Sequence, residues 1–160
     1  MHKLILGLAV AVLISTASFS ERAAAGNATP YPGTKVIATN YSFGQLRSRL
    51  EAAIEKSGMY VVTSASASAG AKHRGIKIPG NLVLGVYRND FAVRMLKASV
   101  PSGIEAPLRF YVTENADGTA TLTYRKPSAV FGVYGSSDLD AMAKELDGIW
   151  VKIVSDTTGK

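Results

Sequence analysis

The chain has 160 residues, of which 47% are apolar, and carries 18 Lys and Arg against 12 Asp and Glu, a formal net charge of +6. That length and apolar content suit one domain with one well-buried core. With no cysteine and only two histidines, His2 and His73, the sequence excludes disulfides, thiol chemistry and any metal or triad site built from several imidazoles or thiolates.

Met1-His2-Lys3 is a short basic start, Leu4 to Ile14 is an apolar run, and Ala23-Ala24-Ala25 supplies the small residues a signal peptidase accepts. This pattern predicts a signal peptide over residues 1–25 and an exported chain, periplasmic or secreted. The apolar run is shorter than the roughly 20 residues a spanning helix needs, so no stable membrane span is expected after cleavage. Removing Lys3, Arg22 and Glu21 leaves the mature chain basic. For an exported protein the acidic partners are lipid headgroups, surface polymers or small anions, and not nucleic acid.

Residues 26–34, with Pro30 and Pro32, read as a flexible leader, and a single domain is expected over residues 35–155. Lys35 to Asn40 is β-branched enough for a first strand. Ser42 with Gln45 three residues later forms a capping box, and Phe43, Leu46, Leu50, Ala53 and Ile54 follow at helical spacing up to Gly58. Met59 to Thr63 is the next strand.

Residues 64–80, SASASAGAKHRGIKIPG, are small and polar and fit either a loop or a weak helix; Lys72, His73, Arg74 and Lys77 gather there. Leu82 to Tyr87 is a nearly continuous apolar run, which predicts a central strand. Asn89 reads as the N-cap of a helix whose apolar face is Phe91, Ala92, Met95 and Leu96, ending before Pro101. After a loop from Pro101 to Pro107, Leu108, Phe110 and Val112 alternate with Arg109, Tyr111 and Thr113, and Ala120, Leu122 and Tyr124 alternate with Thr121, Thr123 and Arg125. A period of two around Asn115-Ala116-Asp117-Gly118-Thr119 predicts a hairpin that pairs Phe110 with Tyr124 and Val112 with Leu122.

That register sets Arg109 opposite Arg125. Like charges across a strand pair repel unless water, an acidic side chain or a bound anion intervenes.

The order of a buried strand ending near an Asn, a helix, Ala106-Pro107-Leu108-Arg109, Glu114-Asn115-Ala116-Asp117-Gly118 and Tyr124-Arg125-Lys126-Pro127 resembles the domain of unknown function 302 family. The resemblance spans about Val36 to Val154. It implies a small single-sheet α+β domain, often dimeric, without an agreed activity, and a helix from about Ser66 to Arg74. Family members often have Gly-Asn-Pro after the central strand, where this chain has Arg88-Asn89-Asp90.

Beyond Pro127, Phe131, Val133 and Tyr134 are placed to close one end of the core. Ser137 is expected to cap a long C-terminal helix with Leu139, Met142, Leu146, Ile149, Trp150 and Ile153 on its inner side and a frayed tail over residues 156–160. The expected fold is therefore α+β: one mixed sheet of about five strands with helices mainly on one face.

The leading functional expectation is a non-enzymatic module that binds a small anionic or amphipathic ligand, with Arg109 and Arg125 as the candidate anion site, because the planar guanidinium fork suits carboxylate and phosphate. Secondary candidates are His73, Arg74, Arg88 and Asn89. No catalytic residue, metal ligand or organic cofactor is assigned. The alternative is a homodimeric or protein-binding domain of the cell envelope, with Tyr41, Tyr60, Tyr87, Tyr111 and Tyr134 as contact area. A hydrolase or lyase using His73 or Asp90 requires those residues to meet an arginine in one concavity.

Overall fold

The computed structural model describes residues 27–160. Its strands are β1 (Thr34–Ser42), β2 (Tyr60–Ala65), β3 (Asn81–Tyr87), β4 (Leu108–Glu114) and β5 (Thr119–Arg125). They form one sheet in the order β1-β5-β4-β3-β2. Every neighbouring pair is antiparallel, so the expected mixed sheet is corrected to an antiparallel one. β1 and β2 flank a helix in sequence but lie at opposite edges, which removes the parallel contact that a strand–helix–strand start implies. β3 is internal, between β4 and β2, while β4 takes the middle.

The helices are α1 (Phe43–Lys56), α2 (Ala67–His73), α3 (Asn89–Ala98), α4 (Pro127–Phe131) and α5 (Ser137–Thr158). The expected loop after α3 contains a 3-10 helix, Val100–Glu105, and a 3-10 turn, Gly132–Tyr134, follows α4. α1 starts on the expected capping box: the Gln45 N–H donates to Ser42 Oγ at 3.4 Å and the Ser42 N–H donates to Gln45 Oε1 at 3.0 Å.

Two caps fall one residue earlier than the sequence predicts. Ser136, not Ser137, caps α5, accepting from the Leu139 N–H at 3.5 Å. Asn89 is already helical, Arg88 occupies the cap position of α3, and the Asn89 side chain instead accepts from the Tyr87 hydroxyl at 3.3 Å.

The hairpin has the expected register, Phe110 with Tyr124 and Val112 with Leu122. Phe110, Val112, Ala120 and Leu122 point into the core with no exposed surface, and the Trp150 ring of α5 stacks on Phe110 at 5.4 Å between centroids. From α1, Leu46, Leu50 and Ile54 are buried in the same cluster. The opposite face of the sheet carries exposed Val36, Tyr60 and Tyr111. On that face β2 and Pro107 approach β3 so closely that a Cβ at Gly85 would overlap Thr63 Oγ1. Leu96, expected in the core, is exposed because α3 turns only Phe91, Ala92 and Met95 inward.

The C-terminal residues are not frayed. α5 runs to Thr158, Thr157 is buried, and the Arg49 guanidinium donates to the carbonyls of Thr157 and Asp156 at 2.7 and 3.2 Å. The second half of the expected leader also belongs to the domain: the Lys126 N–H donates to the Gly33 carbonyl at 2.9 Å, and Gly33 lies so near Ala129 that a Cβ would overlap it. The signal peptide expected over residues 1–25 lies outside the described residues.

Lys56 Nζ lies 3.1 Å from Asp156 Oδ2, and this contact holds the Asp156 carboxyl below its usual range. Arg88 does the same for Asp90, and Arg94 for Glu145. Their folded pKa values are depressed, so the stability they lend is present above the unfolded carboxyl range, roughly pH 4, and is lost as pH falls through the folded values. Asp156→Asn is expected to flatten the acid limb of a stability-against-pH curve, so that wild type and variant converge at low pH in urea unfolding. Parallel curves would show that Lys56 does not favour the charged carboxylate in the fold.

Candidate functional site

α2 and the arm that follows it are built from the residues least legible in the sequence. Ser66 caps α2 through the Ala69 N–H at 3.1 Å, and the Asn81 side chain accepts from the Ala67 N–H at 2.8 Å, tying the helix start to the start of β3. At the other end of the arm, the Gly80 N–H donates to Glu114 Oε2 at 2.6 Å and the Glu114 N–H returns a bond to the Gly80 carbonyl at 2.8 Å. Gly80 rests on the Phe43 ring, where a Cβ would come within 2.8 Å of Cγ. Residues 75–79 between these anchors have no regular structure.

The arm and α2 stand off from α1 and leave a cleft of about 590 Å³. Its apolar wall is Phe43, Leu82, Ile76 and Ile78, the last two exposed on the arm. Arg47, Lys72 and Lys77 also line it. Arg47 is paired with Glu51 at 3.0 Å, whereas Lys72 and Lys77 have no acidic partner among the described residues. The one carboxylate in the wall, Glu114, is held by Gly80. The cleft is thus an apolar trough with an uncompensated positive charge at its side.

Phe43 and Leu82 read in the sequence only as core residues, and the wall they share with the arm is a tertiary feature. The local signal was Ile76-Lys77-Ile78, two apolar side chains alternating with a cation in an otherwise polar stretch.

The structure does not bring the sequence-stated candidates into one place. Arg109 and Arg125 line a separate cavity of about 50 Å³ with Glu105, Leu108 and Val130. His73 and Arg74 are exposed at the end of α2 and do not line the cleft. Arg88 forms a two-pronged ion pair with Asp90 at 2.6 and 2.9 Å and lies over the Phe91 ring at 4.4 Å. That pair raises the Arg88 pKa and lowers that of Asp90, so neither is poised as an acid or base near neutrality. His73 and Asp90 sit beyond opposite ends of β3, and the arginine that Asp90 meets is Arg88, in an ion pair that leaves Asp90 more than half exposed.

A single-sheet α+β domain is the architecture that the sequence resemblance implies, and the comparison with known families agrees. The family model for the domain of unknown function DUF302 matches residues 35–156. The chain belongs to the DUF302 family. A solved DUF302 structure, the crystal structure of an uncharacterized conserved protein from Bacillus stearothermophilus, is similar with a TM-score of 0.69. It shares 17% identity with this DUF302 chain over 79% of it and 98% of the Bacillus chain, a likeness that shows the common fold. No curated protein matches this DUF302 sequence.

Proposed function

We propose that this DUF302 chain is an exported, non-enzymatic binding module for an amphipathic anion, with the apolar part of the ligand in the α2 cleft and its charged head against Lys72 and Lys77. The single observation that carries this is the cleft itself, whose volume of about 590 Å³ and apolar wall meet two cations without acidic partners among the described residues. Small-molecule sites are typically about 300–1,000 Å³, mostly apolar, with a few polar groups that fix orientation. Export rests on the basic, apolar and small-residue pattern of residues 1–25, and it would place the protein beside lipid-derived amphiphiles.

A ligand that prefers the native state raises the unfolding midpoint by mass action. Decanoate below its micelle concentration is expected to raise the midpoint saturably, while the uncharged decanol at the same concentration raises it less. No saturable shift with decanoate would contradict the proposal.

A second reading, a homodimer or an envelope-protein contact, is favoured by a different observation: the sheet face opposite the helices exposes Val36, Tyr60 and Tyr111, and edge strand β2 carries no charged residue. A monomer at micromolar concentration in sedimentation would remove the homodimer.

A further inference from the structure

The strands β4 and β5 part at the end away from the hairpin turn. Their paired register stops at Phe110 with Tyr124, and the next residues, Arg109 and Arg125, line the cavity of about 50 Å³ that opens there. Neither arginine forms an ion pair among the described residues. The Arg125 guanidinium lies 5.1 Å from the Tyr31 ring centroid, and its Nε is buried without a hydrogen-bond partner among the described residues. Such a buried donor is unfavourable unless something accepts from it. The neighbouring carboxylate, Glu105, is instead engaged by the Tyr134 hydroxyl at 3.1 Å.

We infer that this niche is a second ligand site, which takes the carboxylate of a small monoanion between Arg109 and Arg125. Charge sets the class: two guanidiniums and one carboxylate leave a single net positive charge in the cavity wall, which one negative charge neutralises and two exceed. Size agrees. A water needs about 10–15 Å³ of such space, so the niche holds a group of a few heavy atoms and no whole cofactor. Shape agrees as well, because a planar carboxylate accepts two parallel bonds from a guanidinium fork. The site is independent of the cleft: Arg109 and Glu114 are near opposite ends of β4, separated by roughly 17 Å at about 3.4 Å per residue.

Acetate and inorganic phosphate are the probes, read as shifts in the unfolding midpoint of the purified protein. Acetate is expected to raise the midpoint saturably and phosphate to do so less. Arg109→Gln, at an exposed position, is expected to weaken acetate at least about tenfold, as expected for loss of a hydrogen bond to a charged group. Arg125→Lys, which keeps the charge and loses the fork, is expected to weaken it likewise, and Glu105→Gln to favour phosphate. Lys72→Glu with Lys77→Glu should leave the acetate response intact, which separates this site from the cleft. An absent acetate shift, a phosphate shift as large as that of acetate, or an acetate response unchanged in Arg109→Gln would overturn the inference.

Discussion

Trp150→Ala is expected to destabilise the protein by about 3–5 kcal/mol, a large part of the roughly 5–15 kcal/mol that holds a domain of this kind folded. Trp150 is 1% exposed, stacks on Phe110 at 5.4 Å, and joins α5 to the middle strand of the sheet. Phe110 in turn lies 5.5 Å from Tyr124, so removal of the indole leaves a void along the row that connects α5, β4 and β5. The chain has one tryptophan, so the variant must be followed by circular dichroism in urea and not by indole fluorescence. A loss below about 1 kcal/mol would mean that the helix layer closes over the void, or that the stack contributes little.

Lys72→Glu combined with Lys77→Glu is expected to reduce decanoate affinity about a hundredfold. Each lysine contributes roughly a tenfold charge-assisted contact, and reversal of sign adds repulsion. Both side chains are exposed and unpaired among the described residues, so the fold should keep its stability to within about 0.5 kcal/mol. Ile78→Ser tests the other half of the ligand. It should weaken decanoate and leave a short-chain anion unaffected. An affinity unchanged in the double lysine variant would place the ligand elsewhere.

Much of the fold was legible because local chemistry and tertiary packing agree. The alternation around Asp117-Gly118 specified the hairpin and its register, and Ser42 with Gln45 marked the start of α1. Sheet direction was not legible. The chain order strand, helix, strand is compatible with parallel neighbours or with strands at opposite edges, and only the pairing of β1 with β5 and of β2 with β3 decides between them.

The tail misled for a related reason. Asp156-Thr157-Thr158-Gly159 is weak as an isolated helix end, yet Arg49 from α1 and the Thr157 hydroxyl, which donates to the Ile153 carbonyl at 2.7 Å, hold it.

The site was the least legible part. Opposed arginines are visible in a hairpin register, and they do line one niche. The cleft is different, since its wall combines Phe43 at a helix start, Leu82 on a strand and Ile76 and Ile78 on an arm without regular structure. No periodicity joins those positions; the Asn81 and Glu114 hydrogen bonds do.

The most direct measurement is the NMR response of isoleucine methyl groups to decanoate. Ile76 and Ile78 line the cleft, and Ile104, 83% exposed beside Glu105, reports on the far end of β4. The account expects saturable shifts at Ile76 and Ile78 that disappear in the double lysine variant. Shifts confined to Ile104, or none at Ile76 and Ile78 at saturating decanoate, would contradict it.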